Sequence, residues 1–384
     1  MLMTPDEIKA EIASGGITAI SLDTSIFEKS RNRFEHAPLS QLKQFVGSRV
    51  QFLVTDVVAG EVKAHVVRDG KEAELAVRAA LRKTGEKWQT TREARDALMV
   101  GLLGGETAEA MGERRFKAFK DVTGLSIVQS EPLVSLSRVL NDYFLARPPF
   151  GTNAVKKSEF PDAIALHALE NWAMRESTKI LVVAKDGDWK NYCDISPTLV
   201  LVDELGDALS LFHQDATVVC SLISAGISNK SIDFEEKLSM ALQYAAEYLD
   251  FIPEASAAYY YEPDVEFVEV EGFEFIPIQH RGEVFLKPVD HNARRLVAEA
   301  LVRVAIAVTT SFSFSAKDPI DRDEVPIGSA SVKKSFELMA KVFVTFEGDL
   351  ASSPEVLEVE AEFEGRHCDI DYGAVEPDWQ DYEE

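Results

Sequence analysis

The chain has 384 residues, 40 Lys+Arg against 65 Asp+Glu, and a formal charge of −25. Apolar residues make up 46 % and charged residues 27 %, a mixture that supports real cores and excludes wholesale disorder. At roughly 100–200 residues per domain the length predicts two domains, and no apolar run reaches the about 18 residues of a membrane span.

The opening MLMTPDEIKAEIASGG carries early acids and no apolar segment, so it does not read as a secretory signal. Three cysteines, Cys193, Cys220 and Cys368, lie far apart and are odd in number. That spacing argues against a disulfide framework and a cysteine zinc site, and the expected compartment is a reducing cytoplasm. As a single number, the acidic charge argues against nucleic acid, because phosphates select basic surfaces. The charge is not evenly spread, however. Residues 230–384 hold 13 Lys+Arg and 34 Asp+Glu, a net of −21, while residues 1–229 hold 27 and 31, a net of −4. Two compositions are joined. The expected division is a domain over 1–229, an acidic domain over 230–372 and an acidic tail over 373–384, ending EPDWQDYEE. Between 60 and 120 the chain carries 13 basic and 10 acidic groups, including Lys63, Arg68, Lys71, Arg78 and Arg82 in one helical stretch. This reads either as a solvated helix face or as a surface that tracks phosphates.

In chain order, residues 5–14 predict a helix, and Thr18–Leu22 is a short apolar run ending at Asp23, read as a buried strand. Helix follows around 39–47, then a strand at Val50–Val54. Thr55 is the expected N-cap of a long helix beginning VVAGEVKAHVV. Further helices are expected at 91–103, 106–120 and 132–145, with a strand at Leu125–Gln129. RPPFGTN (147–153) is loop chemistry. Pro161 suits a first helical turn and opens DAIALHALENWAMRES. KILVVA (179–184) and Thr198–Val202 are further buried strands. Continuous apolar strands alternating with helices predict a parallel sheet covered on both faces.

The second part changes period. Residues 232–251 read as one amphipathic helix. Then come VEFVEVEG, FEFIPI, EVFLKPV, VTTSFSFSA, AKVFVTFEG and VLEVEAEFEG, whose period of two predicts antiparallel strands. FVEVEGFEF reads as a hairpin turning at Gly272, and RLVAEALVRVAIAV supports helix over the first half of 292–307. The expectation is an α+β domain rich in antiparallel strands, with exposed Glu residues that protect its edges. Phe273, Phe275, Phe285, Phe312, Phe314, Phe343 and Phe346 stand at strand spacing and read as core rather than as a base-stacking platform.

Ligands of parallel α/β sheets collect at the carboxyl ends of strands. Asp23 follows the strand at 18–22, and Asp186 and Asp188 follow the strand at 179–184. Asp162 opens the helix that feeds that strand, and Glu61 lies on the first turns of the helix after 50–54. All can reach one rim if the strands at 18–22 and 179–184 are neighbours. Carboxylates gathered in one cleft repel one another unless cations neutralise them. Oxygen ligands without an accompanying Cys or His set suit Mg²⁺ or Mn²⁺, and such ions support phosphodiester hydrolysis. Taken singly each acid has a plainer explanation: a helix N-terminus for Asp162, an exposed helix position for Glu61, an Asp-Gly turn for KDGDW. Asp23 resists one, because an acid closing an apolar strand is costly unless paired or wet.

LDTSIF (22–27), TDVVAGEVKAH (55–65), EFPDAIALHALENWA (159–173) and VVAKDGDW (182–189) resemble the acidic motifs of the PIN-domain nucleases, over roughly residues 1–215. The likeness is to bacterial PIN-like domains with a helical insertion and a C-terminal extension. It implies a three-layer α/β/α fold and a Mg²⁺- or Mn²⁺-dependent endonuclease, with RNA or single-stranded DNA as substrate. Asp23, Glu61, Asp162 and Asp186 would be the catalytic, metal-binding acids and Asp188 an auxiliary metal acid. Thr24 and Ser25 would assist near the first metal. Where the family often has Ser or Thr, this chain has Ala184, which removes a hydroxyl that could orient a ligand. Lys156, Lys157, Lys63 and Arg68 are the expected phosphate contacts. The resemblance also points to toxins or defence effectors, to a regulatory protein partner and to homo-oligomers. The competing reading is a non-catalytic PIN-fold interaction protein acting through its acidic half. No HExxH, Walker-type or GxSxG motif is present, and the seven His show no ligand spacing.

Overall fold

The computed structural model describes residues 3–151, 159–278, 284–317 and 324–378. The chain divides into two compact units, residues 1–214 and 215–384. Helix 217–228, placed with the first domain by the charge division at 229, buries Cys220 and Ile223 in the core of the second unit.

The first unit opens with α1 (Pro5–Ser14). Thr4 and Glu7 form a capping box at its start, and Gly15 ends it at φ +81°, a left-handed backbone that suits glycine. β1 (Ile17–Leu22) follows, then α2 (Thr24–Lys29), a 3₁₀ turn at Leu39–Phe45, and β2 (Gln51–Thr55). Thr55 caps α3 (Asp56–Trp88) by accepting from the Val58 N–H, as its position after an apolar run predicted. Next come α4 (Arg92–Leu103), α5 (Ala108–Thr123), β3 (Ser126–Val128), α6 (Leu136–Phe144) and α7 (Phe160–Glu176). β4 (Lys179–Val183), α8 (Gly187–Cys193), β5 (Leu199–Val202) and α9 (Leu205–Ser210) complete the unit. The sheet runs β3-β2-β1-β4-β5 with every pair parallel. Buried on both faces, its strands are the continuous apolar runs read in the sequence.

That order fixes the crevice. From β1 the chain builds outward through β2 and β3, then returns to lay β4 against the other side of β1. The carboxyl ends of β1 and β4 therefore flank the topological switch point, where open α/β sheets bind ligands. Leu22 pairs with Val183, and the Asp23 N–H donates to the Val183 carbonyl at 2.9 Å.

α3 packs its first half, through Val58, Ala59, Val62 and Val66, and then leaves the core. Its distal half and α4 form an arm. No residue of α4 is buried; Ala94, Ala97, Leu98, Gly101 and Leu102 form an exposed apolar stripe at helical spacing.

In the second unit, α10 (Thr217–Ser228) and α11 (Glu235–Ala246) precede β6 (Asp250–Ser256), β7 (Tyr260–Ile276), β8 (Lys287–Asn292), β9 (Arg295–Lys317), β10 (Glu324–Asp349), β11 (Ser353–Phe363) and β12 (His367–Ala374). An antiparallel sheet runs β11-β10-β9-β7, with β8 also paired to β9, and β12 lies parallel to β6. α11 presents Leu238, Leu242 and Ala246, four residues apart, to the core. Phe312, Phe314 and Phe346 are fully buried, so the phenylalanines at strand spacing do build the core.

Four sequence expectations change here. The helix read over 232–251 stops at Ala246, because Asp250–Ser256 pairs with β12 near the end of the chain. Residues 295–307 are strand throughout. Their Ala, Leu and Glu suit a helix, but β10 pairs with them along one edge, and β8 and then β7 along the other; pairing overrides local propensity. Gly272 turns no hairpin, since β7 runs straight through it and a register shift falls between Val270 and Gly272. β12 runs to Ala374 and Val375 is buried, so the segment expected to be an acidic tail over 373–384 begins inside the fold. Among the described residues, no helix is long and apolar enough to cross a membrane.

Candidate active site

Four of the five acids sit at the start or end of an element, and Glu61 lies within α3. Asp23 ends β1 and caps α2, with its carboxylate Oδ2 accepting from the Ser25 N–H (3.2 Å) and hydroxyl. It is only 5 % exposed. Burial raises its pKa above the carboxylate norm, hydrogen bonds from Ser25 and Thr24 pull the other way, and the charge of Asp186 adds to the rise. Glu61 lies on the second turn of α3, where its Oε2 accepts from the Thr24 hydroxyl at 2.7 Å. Asp186 caps α8 just beyond β4, and its Oδ1 accepts from the Asp188 N–H at 2.6 Å. The arrangement follows local chemistry: an Asp at an N-cap satisfies a helical N–H that would otherwise lack a partner.

Asp162 occupies the first turn of α7, and its Oδ1 accepts from the indole N–H of Trp189 at 2.8 Å. Its pKa is pushed up to about 7. Burial is the main cause, opposed by the indole hydrogen bond, and the charges of Asp23, Asp186 and Glu61 reinforce it. Those three influences put the four acids of the sequence reading in one electrostatic neighbourhood. Asp188 is likewise raised, by burial and then by Asp186 and Glu159. Among the described residues no group of three or more His, Cys, Asp or Glu side chains is gathered closely enough to hold a metal ion. The donor chemistry nevertheless fits a hard cation. The set is all carboxylate, partly withdrawn from water and mutually repelling, and each hydrogen bond above engages one oxygen of its acid.

Thr24 and Ser25 stand in this cluster as holders of Glu61 and Asp23. Lys63 pairs with Glu113 at 3.1 Å and lies over the Phe116 ring. Arg68 lies 3.9 Å from Glu28 and 3.6 Å from Asp69. Lys156 and Lys157 lie outside the described residues. Ala184 is fully buried.

Two residues escaped the reading of the sequence as separate contributors. Trp189 is fully buried and ties α8 to Asp162; its place directly after KDGD was the available signal. His167, five residues after Asp162, belongs to a buried network that clamps α7 to α6 and α8. Its Nδ1 lies 3.1 Å from Tyr192 Oη and its Nε2 lies 3.2 Å from Asp142 Oδ2. Glu170 accepts from Tyr192 (2.9 Å) and Ser196 (2.7 Å) and pairs with Arg138 (2.8 Å). Burial, with Arg138 alongside, lowers the pKa of His167. The network ties α7, which bears Asp162, to α8, which Asp186 caps.

Comparison with known proteins bears on this geometry. Residues 20–189 match the family model described as PIN domain, a span that includes Asp23, Glu61, Asp162, Asp186 and Asp188. No curated protein and no solved structure matches the chain. PIN domains are as a class nucleases, and they typically use divalent metals. With the parallel β3-β2-β1-β4-β5 sheet and its flanking helices, the match identifies the N-terminal part of this chain as a member of the PIN-domain family.

Proposed function

We propose that the first unit is a divalent-metal-dependent endonuclease that hydrolyses phosphodiester bonds, with RNA as the favoured substrate and Mg²⁺ or Mn²⁺ as the cation. The observation that carries this reading is the shared electrostatic neighbourhood of Asp23, Glu61, Asp162 and Asp186 at the β1/β4 switch point. Asp23 and Asp186 also cap helices, but capping does not require four acids together, and the charges of Asp23, Asp186 and Glu61 raise the cost of ionising Asp162. Asp23, Asp162 and Asp186 would hold the cation, with Asp188 as an auxiliary ligand. When bound, such an ion supplies a lowered pKa for coordinated water and charge stabilisation at the phosphoryl oxygens. The chain's own residues supply the rest. Ser25 and the Asp188 N–H orient Asp23 and Asp186. Thr24 fixes one oxygen of Glu61, and the other would accept a proton from an attacking water. Lys63 and Arg68, on the same helix as Glu61, would exchange their acidic partners for substrate phosphates.

The test is Asp23→Asn against wild type on labelled RNA and single-stranded DNA with Mn²⁺. The expected outcome is cleavage by wild type and loss of at least ~100-fold in the variant, more than the ~10–100-fold typical of removing an outer-shell partner. Equal cleavage by both would remove Asp23 from the site.

A second role concerns residues 215–384, which hold 13 Lys+Arg against 35 Asp+Glu. An acidic surface of this size repels phosphate chains and attracts basic proteins. We assign this unit a regulatory or recruiting role in the cytoplasm, as in toxin or defence nucleases. The competing reading is a PIN fold that has lost cleavage and works only through this surface. Calorimetric titration separates the two, because failure to bind Mn²⁺ even at millimolar concentration leaves only the second. Removal of residues 215–384 is expected to raise cleavage of single strands if the unit restrains the nuclease.

A further inference from the structure

From the geometry at α7 and α8 we infer that Trp189 is a positioning residue for the metal site, holding Asp162 through its indole N–H so that one carboxylate oxygen stays directed to the cation. The inference rests on the metal-dependent reading above and deepens it.

Trp189 is fully buried, and its side chain is the largest in the core of the first unit. An indole has one polar atom, a donor, and when buried it needs an acceptor. Here the acceptor is not a backbone carbonyl but the Asp162 carboxylate, at 2.8 Å and 27 residues away in sequence. A hydrogen bond to an ionised acceptor is stronger and shorter than a neutral one. It acts on a group that burial and three neighbouring acids otherwise disfavour as a charge. The placement matters as much as the strength. Asp186 caps α8, and Asp188 and Trp189 lie in its first turn, whereas Asp162 stands on α7. The indole is thus a cross-tie that sets Asp162 at a fixed position relative to the acids beyond β4. Metal ligands tolerate roughly 0.5 Å of displacement, and outer partners that orient them are worth about 10–100-fold in affinity. Phenylalanine would fill most of the same space, so packing alone does not account for a donor aimed at the acid.

The experiment replaces only the N–H. Trp189 is exchanged for 3-benzothienylalanine, in which sulfur stands where the indole N–H is and the ring volume is kept, with Trp189→Phe as the genetic companion. Mn²⁺ affinity is measured by calorimetry on the full chain, and cleavage is measured as a function of Mn²⁺ concentration. The expected result is an about 10-fold weaker Mn²⁺ affinity at an unchanged melting temperature for the analogue, with cleavage largely restored at saturating Mn²⁺. A spectroscopic arm uses a chain in which Trp88, Trp172 and Trp379 are replaced by Phe. The emission of Trp189 should change as Mn²⁺ binds, and Asp162→Asn should abolish that change. If wild type binds Mn²⁺ and the analogue binds equally well, Trp189 is only a core residue and the inference falls while the nuclease reading stands. If wild type binds no Mn²⁺, the metal-dependent reading falls and takes this inference with it.

Discussion

The two units use the same residue type in opposite ways. In the first, acids are drawn out of water at the end of a buried sheet: Asp23 is 5 % exposed, and Asp162 is driven up to about 7. In the second, Glu262, Glu266, Glu269, Glu274, Glu355 and Glu358 alternate along strands and stand in solvent. A solvated carboxylate costs little and keeps a sheet edge from pairing with other chains. A withdrawn one costs free energy, and it persists where dedicated donors hold it. Ser25, Thr24 and Trp189 are such donors. Net charge alone would have ranked the second unit as the more notable. The difference shows that the environment of an acid, not its abundance, marks a site.

The contrast can be tested in order of effect. Asp186→Ala is expected to lower cleavage by at least ~100-fold, whereas Glu355→Ala should leave it within about twofold; parallel rate measurements decide. Phe346→Ala, at a fully buried position, should destabilise the second unit by about 3–5 kcal/mol. That loss should appear in calorimetry as a lowered transition for that unit, with Mn²⁺ binding by the first retained. Mn²⁺ at about 100 times its dissociation constant should stabilise the first unit by about 2.7 kcal/mol, and chelation should reverse the gain. The transition of the second unit should not respond, for all its acids.

A smaller effect concerns His167, which faces Tyr192 on α8, Asp142 and Arg138 on α6 and Glu170 on its own helix. Its folded-state pKa lies below the ordinary 6.5. The unfolded chain therefore takes up a proton first as pH falls. The contribution of neutral His167 is fully present above 6.5 and declines as pH drops from there toward the lowered folded value. Melting curves at pH 8 and pH 5.5 should show this loss in wild type, and it should shrink in His167→Asn. Smallest of all, Leu98→Glu on the exposed stripe of α4 should change stability by less than about 0.5 kcal/mol. A larger loss would mean that this face is covered.

Local chemistry was legible where elements are self-contained. Thr55 after an apolar run, Pro161 at the head of a helix, and β-type runs such as KILVV specify their structures from short windows. The second unit was less legible because its decisive partners are distant. Residues 295–307 become strand through β10 on one side and β8 and then β7 on the other, and Asp250–Ser256 pairs with residues more than a hundred positions later. No window around them contains those partners.

The site divides in the same way. By itself the sequence determined which acids end strands or open helices, and hence that Asp23, Glu61, Asp162 and Asp186 have oxygen chemistry to offer at one rim. It also determined that the surplus charge belongs to the C-terminal half. Only the tertiary structure decided that β1 and β4 are neighbours, that Asp162 comes under the influence of the other three acids, and that an indole from α8 holds it. The reason is physical. A side chain's identity and its place in an element are set by neighbours along the chain, but burial, mutual repulsion and a hydrogen-bond partner 27 residues away exist only once the sheet has closed.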